Sequence, residues 1–269
     1  MSAPRFTVNG VSLAAYCSHG GGTPVLFQHG LCADAQQTAE IFPETSAFHR
    51  ITVECRGHGQ SEAGDLASLS LATFSTDLEA FIASTRRPIV LGGISMGAAL
   101  ALRIAVRRPD LVSALILARP AWTVEPAPIN LAPYAEVGRL LSEHDAMEAR
   151  ARFERSDTAR RMAAQAPDNL SSLRGFFSRQ PQLVTAALLK SIALDGPGID
   201  WHEVERITVP VLVIGHERDE AHPFAYALEL ARRIRTATLT RICPKADDRN
   251  RYVLDFRSAL AAFLKSLDQ

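Results

Sequence analysis

The 269-residue sequence predicts an α/β fold: a doubly wound, mostly parallel sheet with one inserted helical segment. Three observations carry this. Short apolar runs alternate with longer amphipathic ones, the rhythm of a parallel sheet covered on both faces. The stretch Gly93-Ile94-Ser95-Met96-Gly97 sits between a strand-like run, Pro88 to Leu91, and a helix-like run, Ala98 to Arg107. The alternation stops between Trp122 and about Arg206, then resumes.

Taken in order, Arg5 to Val8 and Val11 to Tyr16 flank Asn9-Gly10, a strong hairpin signal. A glycine turn, Gly20-Gly21-Gly22, precedes a buried strand at Pro24 to Gln28 that ends at His29-Gly30. Ala39 to Phe48 reads as a short helix and Arg50 to Glu54 as a strand. The glycines of Arg56-Gly57-His58-Gly59-Gln60-Ser61 mark a loop. Leu71 to Ser84 has helical spacing, with Leu71, Phe74, Leu78, Phe81 and Ile82 on one face and Asp77 and Glu79 outside it. Ile89 to Leu91 is a strand, and the helix Ala98 to Arg107 stops near Pro109. Val112 to Leu117 is the next strand.

In the inserted segment, Leu140 to Glu154 and Leu183 to Leu194 read as helices, and Asp168-Asn169 and Asp195 to Gly198 as turns. The strand pattern returns at Val209 to Gly215. A helix at Pro223 to Arg233, a strand at Ala237 to Ile242 and a closing helix at Tyr252 to Leu267 complete the chain. The expected division is a core of residues 1–121 and 207–269 with a helical lid at 122–206.

Composition narrows the function classes. With 47% hydrophobic residues the chain can bury a large core. Lys+Arg and Asp+Glu both number 29, so no basic excess points to nucleic acid. Cys17, Cys32, Cys55 and Cys243 show no C-x-x-C spacing and read as reduced packing residues. No run approaches the ~20 apolar residues of a membrane helix, and Met1 to Arg5 lacks a signal layout. The expectation is a soluble cytoplasmic protein acting on a small molecule, with no nucleic-acid or membrane partner. No H-x-x-H, H-E-x-x-H or phosphate-loop ending is present, so no metal or cofactor is implied.

The chemistry centres on Ser95. A G-x-S-x-G serine between a strand and a helix sits on a strained turn with its hydroxyl exposed at the sheet's end. A serine at its ordinary pKa is a weak nucleophile and needs a base beside it.

The order His29-Gly30-Leu31, Arg56 to Ser61, Gly93 to Gly97 and Asp219 resembles the α/β-hydrolase family over nearly the whole chain outside the insertion. That resemblance implies an α/β-hydrolase fold with an inserted helical lid. It implies that Ser95 attacks a carbonyl and that the backbone N–H groups of Leu31 and Met96 hold the oxyanion. It assigns Asp219 as the triad acid, with Glu217 as the competing carboxylate, and makes His29 and His58 supports of their loops. Ser-Met-Gly occurs in cofactor-free enol-lactonase and haloperoxidase relatives, which favours a lactone or small carboxylic ester.

The chain departs from the family pattern at the base. The family's histidine follows the last strand, where this chain has Ile242-Cys243-Pro244-Lys245-Ala246-Asp247-Asp248, and no histidine follows His222. Four readings stand open: a ligand-binding pseudoenzyme; His222 as the base; Asp247 or Asp248 as a carboxylate base, which needs a raised pKa; or non-hydrolytic isomerase or lyase chemistry next to a carbonyl. Arg119 either clamps a substrate carboxylate or phosphate or pairs with a lid carboxylate. Trp122 either lines the pocket or packs the core. Lys245, Arg249 and Arg251 form a solvated loop or face inward. If both basic clusters face inward, the substrate is anionic.

Overall fold

The described residues form eight strands: β1 (Arg5–Val8), β2 (Val11–Cys17), β3 (Thr23–Gln28), β4 (Phe48–Val53), β5 (Ile89–Ile94), β6 (Val112–Ala118), β7 (Val211–Gly215) and β8 (Ala237–Arg241). They form one sheet in the order β1-β2-β4-β3-β5-β6-β7-β8. The β1–β2 and β2–β4 pairs are antiparallel and the other five are parallel. The computed structural model describes residues 4–18, 21–45 and 47–267. Part of the expected Gly20 to Gly22 turn and the first three residues lie outside them.

Eleven helices accompany the sheet among the described residues. They are α1 (Ala35–Ile41), α2 (Leu71–Ser84), α3 (Met96–Arg107), α4 (Ala132–Glu143), α5 (Ala146–Glu154), α6 (Asp157–Gln165), α7 (Pro167–Phe176), α8 (Gln182–Ala193), α9 (Trp201–Val204), α10 (Phe224–Arg233) and α11 (Arg249–Ser266). Helices α4 to α9 fall between β6 and β7.

Strand alternation explains the layering. Leu26, Leu91, Leu115 and Val213 face the cluster that takes in α2, α3 and α10. Val25, Phe27, Val90, Ile116 and Ile214 face the other cluster, with Ile41 of α1 and Phe256 and Leu260 of α11. The central strands are apolar on both faces for that reason. No described helix is long and apolar enough to cross a membrane.

Four local expectations need correction. The first helix begins at Ala35, not Ala39, because the Asp34 side chain accepts from the Gln36 N–H at 2.9 Å; Phe48 already belongs to β4. The predicted helix Leu140 to Glu154 is two helices, because Asp145 caps a new one by accepting from Met147 and Glu148. Asp168-Asn169 is not a turn but the first turn of α7, which opens on Pro167. Asp77, expected on the outer face of α2, is buried. Arg56, from the loop after β4, donates to it at 2.6 and 2.8 Å.

This Arg56–Asp77 pair fastens the β4 loop to α2. Both side chains are under one-tenth exposed, so removing one partner leaves a charge stranded. Asp77→Ala is expected to cost about 3–5 kcal/mol in urea unfolding, and Arg56→Met with Asp77→Leu to recover most of it. A loss below ~1 kcal/mol for the single variant would show that the pair is solvated.

Candidate active site

Ser95 joins β5 to α3 with φ 57° and ψ −112°, a conformation that costs a side-chain-bearing residue about 1–3 kcal/mol. Its N–H donates to Ala118 O at 3.0 Å, and its carbonyl accepts from Ala98 and Ala99. The flanking glycines are needed for contact. A Cβ on Gly97 would lie 2.5 Å from Gln28 O, and one on Gly93 2.5 Å from the Gly97 carbonyl carbon. Helix α3 therefore packs directly on β3 and β5 and lifts Ser95 above the sheet's C-terminal edge.

Two backbone N–H groups are candidates to face this position: Met96 follows Ser95 in the chain, and Leu31 lines the same cavity as Ser95. Met96 is the first residue of α3, so its N–H has no acceptor within the helix. Leu31 follows β3, in a turn where the Gly30 N–H donates to Gln37 Oε1 at 2.7 Å and Cys32 takes φ 58°. Burial pushes the Cys32 thiol up to about 12, so it stays protonated at neutral pH.

His29 and His58 support that turn. His29 is fully buried, with Nδ1 2.8 Å from Gly30 O and Nε2 accepting from the Cys55 N–H at 3.0 Å. With both nitrogens occupied it has no lone pair to offer a substrate. Burial lowers its pKa to about 4. The His58 ring packs against it in a tilted arrangement, with centroids 4.8 Å apart, and is held well below the ordinary histidine range, chiefly by burial.

Ser95 lines a cavity of about 580 Å3 together with Leu31, Arg119, Tyr134, Arg179 and His222. Helices α4 and α7 supply its aromatic wall, where the Tyr134 and Phe176 rings lie 5.7 Å apart.

Asp219, just beyond β7, stands behind the cavity and is buried in a nearly complete set of donors. Arg119 gives two bonds to Oδ2, at 2.9 and 2.6 Å. Asn169 Nδ2 gives one to Oδ1 at 2.9 Å, and the His222 backbone N–H reaches Oδ1 at 3.2 Å. Burial opposes ionisation of Asp219, but Arg119 and His222 outweigh it and hold the carboxyl well below the usual range.

The His222 ring faces this carboxylate. Its Nδ1 is 2.9 Å from both Asp219 oxygens and 3.1 Å from Arg119 Nη2. A carboxylate only accepts and a guanidinium only donates. Two carboxylate oxygens at 2.9 Å assign the proton to Nδ1, leaving Nε2 as a lone-pair acceptor. Burial lowers the His222 pKa; Asp219 opposes that shift and Arg119 adds to it, so the imidazole is neutral at pH 7. The ring's hydrogen bonds run to Asp219, not to Ser95.

The remaining sequence candidates scatter. Asp247 forms an ion pair with Arg218 and is 40% exposed. Asp248 caps α11 by accepting from the Arg251 N–H at 2.9 Å. Neither lines the cavity. Glu217 accepts from Arg241 at the surface. Of the three basic residues near them, only Lys245 reaches the cavity; Arg249 pairs with Glu40 and Arg251 with Asp255. Trp122 is buried, with its indole N–H on Asp195 O at 3.0 Å, and does not line the cavity. Arg119 pairs with Asp219 rather than with a carboxylate of the insertion. Among the described residues no cluster of three or more His, Cys, Asp or Glu is placed to hold a metal.

Sequence reasoning missed three residues of the site. Asn169 ties α7 to the acid loop: besides the Asp219 bond, its Oδ1 accepts from Glu220 and Ala221 N–H at 2.7 and 3.3 Å. His216 lies with its Nε2 3.5 Å from Asp219 Oδ2, beyond hydrogen-bond length for a ring that burial keeps neutral. Arg179 enters from the segment between α7 and α8. The Pro167 helix start could have flagged Asn169 as helical; nothing local marks the other two.

Residues 17–255 match the profile of the alpha/beta hydrolase family. A 231-residue stretch is 28% identical to the AB hydrolase superfamily protein YisY of Bacillus subtilis, covering 82% of this chain and 83% of that one. A shorter stretch of 128 residues is 28% identical to the sn-1-specific diacylglycerol lipase ABHD11 of Mus musculus; it spans 46% of this chain and only 39% of the lipase. The fold is similar to that of the enol-lactonase from Burkholderia xenovorans LB400, with a TM-score of 0.69, 22% identity and 98% of each chain covered.

The buried histidines give a stability prediction. His29, His58, His216 and His222 are all held neutral chiefly by burial, whereas in the unfolded chain each takes a proton near pH 6.5. Their contribution is complete above that pH and is lost as pH falls toward about 4, where His29 protonates in the fold. Asp219 acts in the same direction only below the ordinary carboxylate range. Urea unfolding should show at least about 2 kcal/mol less stability at pH 5.0 than at pH 7.5. Equal values would mean that these rings titrate in the folded state.

Proposed function

The chain belongs to the alpha/beta hydrolase family, and on that premise we propose that it hydrolyses a small carboxylic ester or lactone, with Ser95 as nucleophile and the His222–Asp219 pair as its base. One observation carries the reading. His222 lines the same cavity as Ser95, with Nδ1 engaged by an ionised Asp219 and Nε2 left as acceptor. The pair supplies the chemistry of the absent C-terminal histidine from a different loop.

Ser95 Oγ attacks the substrate carbonyl while His222 Nε2 takes its proton. The proton passes through a bridging water or as the site tightens on substrate, since such bonds are often long in the empty enzyme. Asp219 stabilises the imidazolium formed. The N–H groups of Leu31 and Met96 hold the oxyanion, and one such donor is worth about 3–4 kcal/mol in the transition state. His222 then protonates the departing alkoxide. Water, deprotonated by the same ring, releases the acid from the acyl-serine.

Support also comes from what surrounds the alternative bases. Asp247 is committed to Arg218 at the surface and Asp248 to the first turn of α11. A carboxylate so placed has neither the burial nor the reach to take a serine proton. The lipase and enol-lactonase likenesses agree with an ester or lactone as substrate class.

Fluorophosphonate labelling and hydrolysis of p-nitrophenyl acetate test the scheme. Labelling should fall on Ser95, and His222→Gln should lower kcat/KM by about 10²–10⁴-fold, while Asp247→Asn changes it less than threefold. Full activity in His222→Gln would overturn the assignment of the base, and a folded wild-type chain that is never labelled would overturn the hydrolase reading.

The pH profile gives an independent check. Burial lowers the His222 pKa, so the acid limb of kcat/KM should lie below pH 6.5, and Arg119→Met should move the His222 titration upward in NMR. An acid limb above the ordinary histidine value would contradict this environment.

A further inference from the structure

Arg179 is a second guanidinium in the cavity, and nothing in the mechanism above uses it. It lies between α7 and α8, half-buried, and lines the same cavity as Ser95. Two neutral acceptors fix its pose: Nη1 donates to Thr185 Oγ1 at 2.9 Å and Nη2 to Gly57 O at 2.6 Å. The acceptors are themselves fixed. Thr185 is fully buried in α8, and Gly57 has φ 71° with no room for a Cβ beside Val184.

No carboxylate of the described residues forms an ion pair with Arg179. The contrast with Arg56 and Arg119 is clear, since each of those has a buried aspartate. A guanidinium carries five N–H donors, so the two neutral bonds leave three unspent. A cation held half out of water without a counter-ion is costly to the empty protein. The cost falls when a ligand brings the anion, and the fixed pose means little entropy is lost on capture.

The position of the charge within the cavity follows from its neighbours. Arg179 donates to the carbonyl of Gly57, next to His58, and the His58 ring packs against His29, which begins the turn carrying Leu31. The guanidinium thus lies on the oxyanion-turn side of the cavity. Its charge opposes protonation of both His29 and His58. Lys245 stands nearer His222, where it disfavours the charged ring. Among the described residues it makes no ion pair and no side-chain hydrogen bond, so its pose is not fixed for capture as that of Arg179 is.

Resting on the serine-hydrolase reading above, we infer that Arg179 binds a free carboxylate of the substrate, so that the substrate is an ester or lactone of a diacid rather than a neutral ester. A forked guanidinium with three free donors matches a carboxylate bidentately. A phosphate would want a second fixed cation, and Arg119, the other guanidinium of the cavity, is spent on Asp219.

The test compares an ester with and without the second acid, together with binding of the product. Monomethyl succinate should show a kcat/KM well above that of dimethyl succinate. Arg179→Met should lower that ratio about 10–100-fold, and Arg179→Lys should fall between. Calorimetry should find succinate binding to the wild-type chain, weakened at least tenfold in Arg179→Met, with inorganic phosphate binding more weakly than succinate. Arg179-dependent succinate binding in a chain that turns over neither ester would keep the site while the hydrolase reading fails. Equal use of the two esters by the wild-type enzyme would overturn the proposal, as would succinate binding unchanged in a folded Arg179 variant or phosphate binding tighter than succinate.

Discussion

The arrangement of the site depends on the buried ion pair between Arg119 and Asp219. Both side chains are largely withdrawn from water, at 13% and 2% exposure, so neither charge is tolerable without the other. The pair keeps Asp219 ionised, the ionised carboxylate keeps the proton on His222 Nδ1, and that tautomer leaves Nε2 as the free acceptor. Arg119 is itself held by the sheet. It directly follows β6 with φ 45°, and its N–H donates to Ile214 O of β7 at 2.7 Å. Sheet register is thereby converted into the protonation state of a ring in the cavity. Tyr252 completes the cage, with its hydroxyl accepting from Arg119 at 3.2 Å.

The helical insertion takes part in this arrangement. Asn169 of α7 donates to Asp219 and accepts from two N–H groups of the acid loop, so the carboxylate is gripped from the core and from the insertion together. Asn130 makes a parallel link, donating to Ala121 O and Ala221 O. Segments far apart in the chain meet around one carboxylate, and the Ser95 cavity forms where they meet. The insertion that supplies Tyr134 and Phe176 to the cavity wall thus also helps to hold Asp219.

What could be read in advance follows the reach of the physics. The elbow was legible because its cause is local: Gly93 and Gly97 are required by contacts within a few residues and with the adjacent strand. The two-sided strands were legible because burial on both faces leaves continuous apolar runs. Asp77 was misread because its partner is Arg56, 21 residues away, and helical spacing alone puts a carboxylate on the wet face. The Arg119–Asp219 separation is 100 residues, and no spacing rule connects them. His222 could be named as a histidine near the acid, but its Nδ1 contact could not. The missing C-terminal histidine was plain from the sequence. The surface pairing of Asp247 with Arg218 needed the fold.

The proposed action of the His222–Asp219 pair on Ser95 has to hold although no histidine follows β8. A crystal structure of the chain with a phosphonate bonded to Ser95 Oγ tests it directly. His222 Nε2 should lie within about 3.2 Å of an oxygen on the adduct, directly or through one water, with Nδ1 still on Asp219 and Asp247 still paired with Arg218. An adduct in which Asp247 or Asp248 has swung to that oxygen, or in which His222 remains out of reach of it, would contradict the claim.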